Sequence, residues 1–152
     1  MLAGQQLSPL VKTTRVKNAV AAGTGDTIQS DAVDMADFEG VRFTILFGTI
    51  TATAVTTVKA QQSSTAGLAG TEDDLAGTAQ SVADTDDNKA VVIDVYRPID
   101  RYVNVAVVRA TANAVIDGII AEQYGARKVP TTDDATTVVG REVHVSPAEG
   151  TA

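Results

Sequence analysis

One stretch of the chain alternates large apolar side chains with other residues at a period of two. In the segment 41–47, Val41, Phe43, Ile45 and Phe47 occupy the odd positions. Successive side chains of a strand point to opposite faces, so this alternation is typical of a β-strand with one buried face. The pattern predicts a strand over residues 41–47 whose odd-numbered side chains lie in the core.

Further strands are predicted where short runs rich in Val, Thr and Ala lie between turn residues. The run 101–109 has apolar side chains on both faces, which predicts a central strand packed on both sides. The segments 34–40 and 71–75 are predicted as loops or single helical turns. The other predicted strands cover residues 16–22, 27–30, 54–62, 79–83, 90–96 and 114–124.

Seven or so strands with Gly, Asp and Asn turns, and no long amphipathic helix, are typical of one architecture. We expect an all-β fold, an antiparallel β-sandwich or jelly-roll-like barrel with extended terminal arms. The expected boundaries are an N-terminal arm at 1–15, a β-sandwich domain at 16–125 and a C-terminal arm at 126–152. The arms are rich in Gly, Pro, Thr and Ser and lie outside the periodic strands. We expect them to be mobile in isolation and ordered against partner subunits.

The composition indicates association with other proteins. The chain has 152 residues, a net charge of −7, 44% hydrophobic residues and only 4% aromatic ones. The acidic balance argues against non-specific binding to nucleic acid. A core built mainly from small aliphatic side chains buries less area per residue than an aromatic one, which favours further burial in a homo-oligomer, a dimer or a trimer.

Two groups of residues are candidates for partner binding. The first 17 residues contain three basic side chains and no acid, which favours attraction to an acidic partner surface. The second group is a Val-rich stretch near the C-terminus, which could add a strand to a neighbouring subunit. The candidates are Lys12, Arg15, Lys17, Val138, Val139, Val143 and Val145.

The chain offers little catalytic or metal-binding chemistry. It contains no cysteine and a single histidine, His144, whereas nucleophilic catalysis needs an activating base and soft-metal sites need Cys or several His. We therefore expect no enzymatic activity, no catalytic residue, no cofactor and no metal site. No run approaches the ~20 apolar residues of a membrane span, and the first ten residues lack the layout of a signal peptide.

One acidic stretch partly matches a calcium-binding loop. An EF-hand loop starting at Asp84 would need Gly at its sixth position and Glu at its twelfth, but Lys89 and Val95 stand there. A turn before the next strand is the favoured interpretation. A weak surface cation site at Asp84, Asp86 and Asn88 stays open.

Taken in order, several segments resemble the head decoration, or cement, proteins of tailed bacteriophages, especially the small jelly-roll-like ones. The resemblance covers roughly residues 36–130. It is carried by Asp37-Phe38-Glu39-Gly40 before the strand 41–47, by Val58-Lys59-Ala60-Gln61-Gln62-Ser63, by Asp74-Leu75-Ala76-Gly77-Thr78, by the strand 88–95, by Arg101-Tyr102-Val103, and by the segment 121–130.

The resemblance implies a virion structural protein on the capsid exterior, made in the host cytoplasm. Its implied partners are the major capsid protein and further copies of itself, with no nucleic acid, membrane or small-molecule substrate. It would stabilise the shell by bridging neighbouring capsid subunits. Two alternatives remain: another virion subunit, from the head–tail joint or the tail tube, or a carbohydrate-binding jelly-roll module.

Overall fold

The computed structural model describes residues 6–68 and 70–151, and within them eleven β-strands form two antiparallel sheets. A short 3-10 turn, Ser8–Leu10, precedes the first strand. The strands in chain order are β1 (Lys12–Lys17), β2 (Val20–Gly23), β3 (Asp26–Gln29), β4 (Val33–Asp34), β5 (Gly40–Ile50), β6 (Val55–Ser63), β7 (Asp73–Asp74), β8 (Gln80–Val82), β9 (Ala90–Tyr96), β10 (Tyr102–Ala110) and β11 (Ala114–Tyr124).

The order of the strands is that of a jelly roll. Sheet A runs β1-β11-β5-β9, with β2 also paired to β11, and sheet B runs β3-β10-β6-β7, with β4 on β10 and β8 on β6. Each of the pairs β1/β2, β3/β4 and β7/β8 occupies one edge position, so the eleven strands fill eight positions. Numbered along the chain, these give 1-8-3-6 in one sheet and 2-7-4-5 in the other, the double Greek key of a jelly roll. The predicted all-β sandwich is confirmed.

The core lies between the two sheets and follows the predicted alternation. Val41, Phe43, Ile45 and Phe47 are all at most 2% exposed, which confirms the predicted inward face of β5. β10 lies inside sheet B, and residues 103–107 are fully buried on both faces, as predicted for a central strand. Burial of a Val, Ile or Phe side chain contributes roughly 1.5–3 kcal/mol.

Three local predictions differ from the structure. The strand predicted over residues 16–22 is divided between β1 and β2, with residues 18–19 in neither. The segment 71–75 is not a helical turn, because Asp73–Asp74 forms β7 and pairs with β6. Lys59 donates a hydrogen bond to Asp74 at 2.6 Å and Gln61 donates another at 2.7 Å, so contacts across the sheet determine the local conformation. In addition, β1 begins at Lys12, so the expected arm boundary at residue 15 falls inside a strand.

The described residues contain no helix that is long and apolar enough to span a membrane.

Candidate interaction surface

The structure brings three of the predicted partner-binding residues together on the outer face of sheet A, the face directed away from sheet B. Arg15, Val138 and Val139 line a shallow groove of about 440 Å³ together with Leu46 and Ile120. The exposed fraction of Leu46 is 37%, and Val139 is fully exposed. The groove therefore combines an apolar floor with two charged groups, the guanidinium of Arg15 and the carboxylate of Asp117.

Strand register explains the position of Arg15. It lies opposite Ile120 of β11, and the register shifts between Arg15 and Lys17. Val16 between them points into the core, where it is 1% exposed. The irregularity separates Lys17 from Arg15, and Lys17 lines a different groove beside Asp31.

The three basic residues therefore do not form one patch. Lys12 lies opposite Gln123, and its charge contributes to lowering the pKa values of Asp34 and Asp134. For Asp34 the largest cause of the lowered pKa is its hydrogen bonding to Arg101, at 2.8 and 2.7 Å. The charge of Lys12 thus already faces acids of its own chain.

The C-terminal segment 131–141 lies along the free side of β1. The backbone N–H of Thr131 donates to the Pro9 carbonyl at 2.9 Å. The N–H of Thr13 donates to Asp133 Oδ1 at 2.8 Å, and the N–H of Arg15 donates to Thr137 Oγ1 at 3.2 Å. Side chains of this segment therefore accept hydrogen bonds that a neighbouring strand would otherwise accept.

Arg141 fastens the same segment. Its guanidinium donates to the carbonyl oxygens of Ser8, Val11 and Thr131, and it forms an ion pair with Asp133 at 3.5 Å. Part of the expected C-terminal arm is thus in contact with its own domain. Its contact with partner subunits stays a prediction.

The remaining predicted residues lie beyond this contact. Val143 and Val145 are exposed and form no strand among the described residues. His144 Nε2 lies 2.9 Å from a carboxylate oxygen of Glu142, and both side chains are exposed. Addition of this stretch to a neighbouring strand stays a prediction.

A second groove, of about 550 Å³, lies at the other end of the outer face of sheet A and was not found from the sequence. Leu7, Leu10 and Val129 form one side of it, and charged side chains of the sheet line the other. On the charged side Tyr124 donates a 2.5 Å hydrogen bond to Asp94. Burial and this hydrogen bond both raise the pKa of Tyr124. No periodic pattern links Leu7 to Tyr124, so only the fold reveals their proximity.

The carboxylates of the acidic stretch 84–87 accept hydrogen bonds from backbone N–H groups and from a lysine. Asp84 accepts the N–H of Thr53 at 2.7 Å, and Asp87 accepts the N–H of Ile50 at 2.5 Å. Asp86 forms an ion pair with Lys89 at 2.7 Å, and hydrogen bonding to Lys89 is the largest cause of its lowered pKa. These carboxylates support the favoured interpretation of a turn. In residues 6–68 and 70–151 no group of three or more acidic or histidine side chains is arranged to hold a metal ion.

Arg109 is a buried charged residue for which no role was predicted from the sequence. It is 3% exposed, forms a bidentate pair with Asp26 at 2.8 and 2.6 Å, and donates to the carbonyls of Ala21 and Ala114. Its hydrogen bonds are the largest cause of the lowered pKa of Asp26. Asp26 and Arg109 both lie in sheet B, and the bonds of Arg109 to the Ala21 and Ala114 carbonyls join this sheet to sheet A. A lone arginine at the end of a central apolar strand was the signal available in the sequence.

No protein-family model and no curated protein sequence matches the chain. One similar solved structure is that of Bacillus endospore appendages, described as a novel family of disulfide-linked pili. It has 11% identity and a TM-score of 0.44 over 82% of this chain and 97% of that chain.

Two further similar structures come from infectious bursal disease virus. The Gx strain chain has 12% identity and a TM-score of 0.45 over 80% of this chain and 35% of that chain. The Gt strain chain has 11% identity and a TM-score of 0.45, over 86% and 38%. This chain spans little more than a third of those viral chains. None of the three is a bacteriophage decoration protein, so that resemblance stays a prediction.

Proposed function

We propose that this protein is a non-enzymatic structural subunit of a virus particle, one that binds the capsid exterior. The observation that carries the proposal is the eight-position jelly-roll strand order, an arrangement that recurs in viral capsid domains and in lectins. Because one fold can host several functions, the surface must supply the rest of the argument.

The groove beside Arg15 supports protein binding over sugar binding. Its floor is aliphatic, with Leu46, Ile120 and Val138, and no aromatic ring lines it. Exposed apolar area beside an arginine is typical of protein contact surfaces, where arginine is enriched and pairs with carboxylates. Because Arg15 and Asp117 both line the groove, the bound surface would be apolar with side chains of both charges at its edge.

The proposed partners follow from the resemblance to decoration proteins. The protein would bind neighbouring copies of the major capsid protein, bridge them, and associate with itself as a dimer or trimer. It would be made in the host cytoplasm and act without a cofactor, a nucleic acid, a membrane or a small-molecule substrate.

Co-sedimentation with purified, undecorated phage heads tests the proposal. Val139→Asp places a charge on the fully exposed rim of the groove, and we expect at least about tenfold weaker binding, equivalent to about 1.4 kcal/mol. Ile99→Asp is the matched control, because Ile99 is 92% exposed and lies in the turn between β9 and β10. Failure of the unmodified protein to sediment with heads contradicts the proposal, as does equal binding by Val139→Asp.

A further inference from the structure

The four sheet edges of the sandwich differ in how much backbone they leave free. β3, β4, β7 and β8 are four residues long or shorter, and β1 is accompanied by the segment 131–141. β9 has seven residues and, in the part of the chain that the structure describes, pairs with a strand on one side only. A long edge strand with little charge is a template for pairing with another chain.

The register of β9 shows which backbone groups face outward. Phe47 N–H donates to the Lys89 carbonyl and Arg97 N–H donates to the Glu39 carbonyl, so the odd-numbered residues between them form the ladder with β5. The N–H and C=O groups of Ala90, Val92 and Asp94 therefore point away from β5. The Val92 carbonyl accepts an exposed side-chain hydrogen bond from Gln80 at 3.0 Å, which the N–H of an incoming strand would have to share or displace.

The sequence of β9 is complementary to itself. If two copies pair antiparallel with Val92 opposite Val92, then Ala90 lies opposite Asp94 in both directions, and the outward groups form a symmetric set of hydrogen bonds. The two Asp94 carboxylates are then four residues apart along the strands, about 13 Å. A shift by two residues that pairs Asp94 with Val92 brings these carboxylates to diagonal positions, where like charges repel. Asp94 therefore disfavours that register, and the pairing centred on Val92 makes a second copy of the chain the expected partner of this edge.

We propose that β9 is the contact edge of a symmetric dimer in which two copies of sheet A join into one continuous sheet. The proposal deepens the self-association within the proposed function by naming its surface, and it selects the dimer over the trimer. Pairing of the two edges needs no capsid. Its test therefore uses the free protein and is separate from the head-binding experiment.

The first test compares two lysine substitutions on the same face. Val92→Lys places two ammonium groups opposite each other on the dimer axis, whereas Leu46→Lys adds the same charge one strand away from the edge. Val92 and Leu46 are matched in exposure, at 40% and 37%. We expect light scattering to show a dimer for the full chain and for Leu46→Lys, and at least about tenfold weaker association for Val92→Lys.

A second measurement does not depend on how well the lysine variant folds. The chain has no cysteine, so Val92→Cys introduces a single thiol on the proposed axis. A short bis-maleimide should cross-link this variant into dimers. Tyr96→Cys is the control, because its two thiols would be about 26 Å apart in the same register.

Several outcomes would overturn the proposal. These are a monomeric full chain at hundreds of micromolar, undiminished association of a folded Val92→Lys variant, or equal cross-linking of the two thiol variants. If Leu46→Lys disrupts the dimer as strongly as Val92→Lys, the apolar face rather than the edge is the contact. If the dimer is confirmed and heads are not bound, the capsid role fails while the β9 contact stands.

Discussion

The two edges of sheet A meet the same physical problem in different ways. β1 and β9 both end the sheet, and each has backbone groups that no further strand satisfies. β1 is accompanied by the segment 131–141, whereas β9 receives one side-chain hydrogen bond from Gln80. One edge is closed by the chain itself and the other is open.

The difference shows that an edge can be closed without adding a strand. Asp133 and Thr137 accept hydrogen bonds from alternate N–H groups of β1, those of Thr13 and Arg15. The segment 131–141 makes one backbone hydrogen bond to β1, from the Asp134 N–H to the Thr13 carbonyl at 3.4 Å. Its other contacts with β1 come from side chains, so the segment forms no continuous ladder and presents no new edge. β9 keeps its ladder groups in a row, which is what another strand requires.

Removing the segment that lies along β1 should produce the largest change in stability. Deletion of residues 131–152 removes eight hydrogen bonds to β1 and to the residues before it. At roughly 1 kcal/mol each, offset by the entropy of ordering the segment, we expect the free energy of unfolding to fall by about 2–3 kcal/mol. Urea unfolding measures this change.

The same deletion opens the edge of β1, so we also expect higher-order association in light scattering. Deletion of residues 143–152 is the matched control, because residues 143–151 are exposed and the deletion leaves Arg141 and Asp133 in place. Equal stability of the two truncated proteins would show that the cover contributes nothing to β1.

A single substitution tests one contact between this segment and β1. Asp133→Ala removes the acceptor of the Thr13 N–H and the ion-pair partner of Arg141, and the Asp133 side chain is 11% exposed. We expect a loss of about 1–2 kcal/mol in the free energy of unfolding, because the Thr13 N–H loses its partner in a partly buried position. Glu149→Ala, at an exposed position, should cause no change. Unchanged amide exchange at Thr13 in the Asp133→Ala variant would disprove the role of this carboxylate.

Acid should have the smallest effect on stability, and we expect that effect at the edge formed by β1. Asp134 holds Thr136 and Thr137 by hydrogen bonds, with Thr136 the largest cause of its pKa lying below the ordinary value of 3.8. A lowered folded-state pKa means that this contribution is present above the unfolded-state pKa and is lost as pH falls through the folded-state pKa.

We therefore expect the amide of Arg15, which donates to Thr137, to stay protected from hydrogen exchange from neutral pH down to the ordinary aspartate pKa of 3.8 and to lose protection only below it. Exchange must be corrected for its intrinsic pH dependence. Loss of Arg15 protection already at pH 6 would argue against Asp134 as the group that holds this edge.

The sequence predicted the interior of the sandwich better than its edges. The alternation at 41–47 and the apolar faces of 103–107 reflect burial, which leaves a periodic signal in the chain. The cover of β1 depends on Asp133, Thr137 and Arg141, which are polar, irregularly spaced and about 120 residues away from β1. No local pattern encodes such contacts.

The candidate surface was also predicted only in part. Arg15, Val138 and Val139 meet in one groove, but the apolar floor from Leu46 and Ile120 was not assigned to it from the sequence. Lys12 and Lys17 are close to Arg15 in sequence, yet pleating and the irregularity after Arg15 place them elsewhere. Proximity along a strand does not place side chains on the same face.

The pairing of β1 with β11 also has a consequence for how the chain is made. Lys12 pairs with Gln123, and β5 lies on the other side of β11, so β1 has no strand partner, and β5 has only β9, until the last strand has left the ribosome. Until then, the sheet that carries Phe43 and Ile45 is incomplete. Proteins whose strands pair mainly with distant segments fold slowly, and they expose aggregation-prone segments until folding is complete. We therefore expect the yield of native protein in cells to depend on the speed of translation and on the supply of chaperones, even though the finished sandwich has a well-packed core.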